Sequence, residues 1–125
     1  MNAAPIIPAS DILYGDFSSD GQAPKLGEAM ELEKSFNHLQ RPTLLALWQI
    51  QTGRRKPQTA KQGNYEGWSA QQISEVSALP TGAKNAAMIL RGLRNRGLVC
   101  SAKSPKEMRH WLEADTVRLL DLIFE

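Results

Sequence analysis

Residues 69–99 read SAQQISEVSALPTGAKNAAMILRGLRNRGLV, and the order of elements in the chain follows from them. Ser69 stands three residues before Gln72, the spacing at which each side chain takes up a backbone N–H that the first helical turn leaves unpaired. Ile73 and Val76 then mark one apolar face. Leu79-Pro80-Thr81-Gly82 ends that helix, because proline lacks the N–H and pushes its predecessor towards extended backbone. Thr81 is placed to cap a second helix over 82–96, with a buried stripe of Ala86, Ile89 or Leu90, and Leu93. Gly97 supplies the left-handed residue that stops it, and Leu98-Val99-Cys100 reads as the start of a strand.

Downstream, Lys103, Pro105 and Lys106 form a turn with a basic tip. Met108 to Glu113 alternates, with Met108, His110 and Leu112 facing one way and Arg109, Trp111 and Glu113 the other, so 100–113 is predicted to be a hairpin. Upstream, Ala29, Leu32, Phe36 and Leu39 predict an amphipathic helix from Glu28 to about Gln40. A second runs from Pro42 to about Gln51, with Leu44, Leu47 and the core residue Trp48 on one face. Gly53 to Gly67 is a polar loop carrying Arg54, Arg55, Lys56 and Lys61, followed by a short strand at Tyr65–Trp68. Residues 1–27, with Pro5, Pro8 and Pro24, read as an irregular arm; Ile6, Ile7, Ile12, Leu13, Tyr14 and Phe17 make it too apolar to be wholly solvated. The last segment, 116–125, holds Val117, Leu119, Leu120, Leu122, Ile123 and Phe124, more than one narrow helical stripe can use. Its second face is expected to meet another copy of the chain, or else to be covered by the arm.

The net charge of +2 is unevenly spread over the 125 residues. Residues 1–40 carry two bases and six acids, net −4; residues 41–111 carry twelve bases and three acids, net +9; residues 112–125 carry one base and four acids, net −3. The basic centre coincides with the helix pair and the hairpin, which is the electrostatic footprint expected of a polyanion binder.

These residues carry a resemblance. Ala70-Gln71-Gln72-Ile73, Leu79-Pro80, Leu90 with Leu93, and Arg96-Gly97-Leu98-Val99 are spaced as in the winged helix-turn-helix superfamily, and are similar to MarR-like and phage or plasmid regulators over roughly residues 42–115. The fold so implied is mainly α with a small β-hairpin wing (α+β): a winged helix-turn-helix domain over 28–115, extended by the arm 1–27 and a dimerising C-terminal helix, 116–125. The function implied is sequence-specific binding of double-stranded DNA by a homodimeric transcriptional regulator, with repression the expected sign. Its recognition helix would be 82–96 and its wing 100–113.

Opposite the buried stripe lie Lys84, Asn85, Met88 and Arg91, assigned to base edges: arginine and lysine suit guanine, asparagine suits adenine, and methionine suits the thymine methyl. Ala83 and Ala87 let the backbone approach closely. Thr81, Arg94, Arg96, Lys103, Lys106, Arg54, Arg55 and Lys56 are assigned to phosphates, which position without specifying. No cofactor is expected, and no metal site, since Cys100, His38 and His110 lack paired spacing. No phosphate-cradling loop or nucleophile motif suggests an enzyme. One cysteine, no membrane span and no secretory signal make the cytoplasm the expected location. The alternative class is a winged domain that binds protein, as an adaptor or inhibitor of a nucleic-acid machine; binding at a replication or partition site is a third possibility.

Overall fold

The computed structural model describes residues 26–59, 66–78, 82–104 and 106–125. Five helices and one hairpin follow in order: α1 (Leu26–Lys34), α2 (Gln40–Gln51), α3 (Ala70–Val76), α4 (Gly82–Asn95), β1 (Cys100–Lys103), β2 (Met108–Trp111) and α5 (Ala114–Phe124). The architecture is therefore α+β, mainly helical with a small antiparallel hairpin.

Helix α2 is the centre of the core. It buries Thr43, Leu44, Ala46, Leu47, Trp48 and Ile50, and packs against α3, α4 and α5. Ile73 and Val76 from α3, Leu90 and Leu93 from α4, Val99, Leu112, and Leu120 from α5 complete one apolar cluster. On α4 the buried stripe is Ala86, Leu90 and Leu93, with Ile89 half-buried beside it. Fully burying each such leucine or isoleucine is worth about 1.5–3 kcal/mol, so this shared cluster holds α3 and α4 in place.

The local signals at 69–99 act as the sequence implies. The Ser69 hydroxyl accepts the Gln72 N–H at 3.2 Å, and the Gln72 side-chain oxygen accepts the Ser69 N–H at 2.9 Å. At the far end of α4, Gly97 takes φ +80°. Leu98 N–H then bonds to the Leu93 carbonyl at 3.1 Å and Gly97 N–H to that of Arg94 at 2.9 Å. This paired closure satisfies carbonyls the helix end would leave bare. Leu79, Pro80 and Thr81, read as the turn and cap, lie outside the described residues.

Several boundaries differ from expectation. The helix expected over 28–40 ends at Lys34, and α2 begins at Gln40 rather than Pro42. Asn37 is the cause: its side-chain carbonyl accepts from the backbone N–H of Leu39 (2.9 Å) and Gln40 (2.7 Å). Asparagine competes with the helix in this way, so it starts a new one. The strand expected at 98–100 lies at Cys100–Lys103, with Val99 buried just before it. In place of the short strand at 65–68 there is, among the described residues, a single bridge, in which Trp68 and His110 exchange backbone bonds of 2.9 and 2.8 Å; Tyr65 lies outside the described residues.

The hairpin pairs Cys100 with Trp111, Ser101 with His110, Ala102 with Arg109 and Lys103 with Met108. Both the Ser104 N–H and its hydroxyl bond to the Glu107 carbonyl at 2.8 Å, closing the tip. The alternation read at 108–113 fails at its centre, because Arg109 (6% exposed) and His110 (4%) are both buried. Segment 66–68 runs along the free edge of β2, and Arg109 folds back to donate to the Gly67 carbonyl at 3.4 Å. Gly67 has φ +88°, and a Cβ there would stand 2.8 Å from the His110 carbonyl oxygen, so only glycine lets the strands approach. The Gln51 side-chain amide anchors the end of the hairpin to α2, accepting the Leu112 N–H and donating to the Leu112 carbonyl, each at 2.7 Å.

Helix α5 meets two other helices of the chain. Thr116 and Leu120 are buried, and α5 packs against α1 and α2. Phe124 lies 5.5 Å from the Trp48 ring, and Trp48 Nε1–H donates to Asp121 at 2.9 Å. Leu122 alone among its large apolar residues is clearly exposed, at 44%. Part of the apolar content of 116–125 is thus used against α1 and α2. Of the arm, Leu26 and Gly27 open α1, and residues 1–25 lie outside the described residues.

Candidate nucleic-acid interface

Helix α4 is divided by its apolar stripe. Away from the core, Lys84, Asn85, Ala87, Met88 and Arg91 are exposed, and Ala83 and Arg94 are half-buried. Met88 is 66% exposed, far more than a methionine kept for packing. The helix contains no acid. Its small residues let its backbone come close to a ligand, and its cations stand above them.

The hairpin and α3 wall off one side of this face. A groove of about 620 Å³ lies between them, lined by Ala70 and Gln71 of α3, Lys84, Arg91 and Arg94 of α4, and Met108 of β2, among others. Asn85 and Met88 face a second groove, of about 400 Å³, on the other side of α4, with Asn37, Leu39 and Gln40. The four residues assigned to base edges thus share one helix face, and two grooves flank it. Lys103 and Lys106 are exposed beside the hairpin tip.

His110 forms part of the floor of the first groove. Its Nδ1 lies 2.7 Å from the Ser101 hydroxyl. Burial, reinforced by the positive charge of Arg94, lowers its pKa from 6.5 to about 4, so the ring is neutral at pH 7. Cys100, on the neighbouring strand, is held as a thiol: burial, then Glu113 and Glu66, raise its pKa.

Not every assigned cation joins the groove. Arg96 donates to Gln40 at 2.9 Å and to the Ser35 hydroxyl, and its guanidinium lies 5.6 Å from the Phe36 ring. It ties α4 to the α1–α2 link. Arg54 pairs with Glu125 and covers the Trp48 ring at 4.3 Å, so it ties α2 to α5. Arg55 and Lys56 are exposed in the following loop. That loop is pinned to α3, since the Thr59 N–H and hydroxyl both donate to Glu75 and Gln72 Nε2 donates to the Thr59 carbonyl at 3.0 Å. The Thr59 bonds hold the Glu75 carboxyl below its ordinary pKa. Thr81 lies outside the described residues.

Two residues near the groove carried no functional assignment from the sequence. Glu107 lines the groove, and its carboxylate lies 3.5 Å from the Arg109 guanidinium beneath it. A signal for Glu107 was available, since it is the only acid between residues 101 and 111. Arg109 carried no such signal, because its burial depends on the approach of Gly67 from 42 residues away.

Among the described residues, no group of three or more His, Cys, Asp and Glu side chains could hold a metal ion, and no helix is long and apolar enough to cross a membrane. No family model, curated protein or solved structure matches the chain.

Proposed function

We propose that this chain is a winged helix-turn-helix regulator of transcription that binds double-stranded DNA. In this reading α3 is the scaffold helix, α4 enters the major groove, and the hairpin is the wing. One observation carries it: the acid-free outer face of α4 presents Lys84, Asn85, Met88 and Arg91 over small alanines, beside a hairpin with lysines near its tip. A major groove about 12 Å wide accepts such a helix, and these side-chain types match base edges. Arg94, Lys103 and Lys106 then take phosphates.

The regulator acts as a homodimer, which sets two α4 helices about 34 Å apart on a pseudo-palindromic site and represses by occupying it. Support for the dimer rests on apolar residues left exposed on α1 and α5, namely Leu26, Met30 and Leu122.

The test is titration of a labelled random duplex at two salt concentrations, followed by selection of bound sequences and sizing of the complex. Binding that weakens steeply with salt and enriches a pseudo-palindrome supports the reading. Absence of binding at low salt contradicts it.

A further inference from the structure

The groove beside α4 has two electrically different walls. On the α4 side stand Lys84, Arg91 and Arg94; on the hairpin side stand Glu107, Met108 and His110. His110 is buried and bonded to Ser101, so Glu107 is the charged group of that wall that lines the groove, an acid with the buried Arg109 guanidinium 3.5 Å behind it. Lys103 and Lys106 are close in sequence but do not line the groove. A surface built only to hold phosphate would be basic on both sides.

We infer that Glu107 is a specificity-determining residue of this interface, repelling phosphate from the hairpin wall and accepting a hydrogen bond from a base amino group, cytosine N4 above all. The inference rests on the DNA-binding reading given above. A carboxylate is acceptor-only, so it favours a base edge that donates and penalises one that only accepts. Near a polyanion its charge also opposes every register in which no donor faces it. Specificity of this kind comes from weakening the wrong complexes. The geometry holds the group in place. The Glu107 backbone carbonyl is fixed by both bonds from Ser104, and its carboxylate sits against Arg109, which is itself buried under the hairpin.

The experiment measures Kd by fluorescence anisotropy, at one low salt concentration, for a selected duplex and for a random duplex. Wild type, Glu107→Gln and Glu107→Asp are compared. Glutamine keeps an oxygen for Arg109, and aspartate keeps the charge. In Glu107→Gln, random-duplex affinity should rise about three- to tenfold, while affinity for the selected duplex should not rise, so the specificity ratio falls. In Glu107→Asp, random-duplex affinity should stay within about twofold of wild type. Equal tightening on both duplexes, no change on random duplex, or an aspartate variant that behaves like the glutamine variant would overturn the inference. Failure of wild type to bind any duplex is a different result: it removes the DNA-binding reading itself, and this inference with it.

Discussion

The two faces of the molecule spend their arginines differently. On the side formed by α1, α2 and α5, three arginines each have a carboxylate or amide partner and an aromatic ring. Arg41 pairs with Glu33 at 2.8 Å and lies 5.2 Å from the Phe124 ring; Arg54 has Glu125 and Trp48; Arg96, reaching over from the end of α4, has Gln40, Ser35 and Phe36. On the outer face of α4, among the described residues, no carboxylate forms an ion pair with Lys84, Arg91 or Arg94. Their neighbours are alanines, a methionine and an open groove whose far wall carries Glu107. Arginine on an aromatic ring with an acid beside it is acting as a fastener between helices. Cations that form no ion pair among the described residues, along an acid-free helix, retain their charge for a ligand.

The largest effect bearing on this contrast is expected from pH. His110 has a folded pKa of about 4 against 6.5 when unfolded. The unfolded chain therefore binds the extra proton first. The stability contributed by the neutral ring is fully present above pH 6.5, is lost as pH falls towards 4, and levels off below that. The loss is on the order of 3 kcal/mol by linkage. Urea midpoints measured from pH 7.5 to 4 should fall more for wild type than for His110→Asn. Equal slopes would show that the ring is not held neutral. Because Arg94 is the second cause of the shift, Arg94→Ala should narrow the difference without abolishing it.

Next in size is Arg91. Replacing it with alanine should cost about 1–3 kcal/mol on a selected duplex and relax preference at one base position, while leaving the melting temperature unchanged. Uniform loss across all sequences would reassign Arg91 to a phosphate.

The smallest effects are expected on the opposite face. Arg54→Ala and Arg96→Ala should each lower stability by up to about 1 kcal/mol, as for exposed ion pairs and cation–π contacts, in urea denaturation. Neither should change duplex affinity. A clear loss of affinity in either variant would erase the distinction between the two faces.

Much of the fold was legible because its signals are local. The box at Ser69 and Gln72, the left-handed Gly97 and the stripe at Ala86, Leu90 and Leu93 each depend on residues a few positions apart. What was not legible depends on distant partners. Arg54 meets Glu125 across 71 residues, Arg96 meets Ser35 across 61, and the Gln51 amide meets Leu112 across 61. A basic residue's sequence neighbourhood gives no sign of such a partner, so the phosphate assignment of Arg54 and Arg96 carried no hint of these bonds. Asn37 is an intermediate case, since its side chain acts locally but competes with a helical stripe that runs straight through it. The burial of both Arg109 and His110 defeats alternation, because a third segment reaches the edge of the hairpin.

The proposed function has α4 and its groove, and not the arginine-rich opposite face, hold the polyanion. It is tested most directly by the salt dependence of random-duplex binding in two triple variants, Lys84→Ala with Arg91→Ala and Arg94→Ala, and Arg41→Ala with Arg54→Ala and Arg96→Ala. Each phosphate contact contributes about 0.9 to the slope of log affinity against log salt concentration. Since Arg94 is the phosphate contact of the groove set, the slope of the groove variant should shrink by about 1 relative to wild type, while that of the opposite-face variant should not change. Equal slopes in the two variants, or the larger loss in the opposite-face variant, would contradict it.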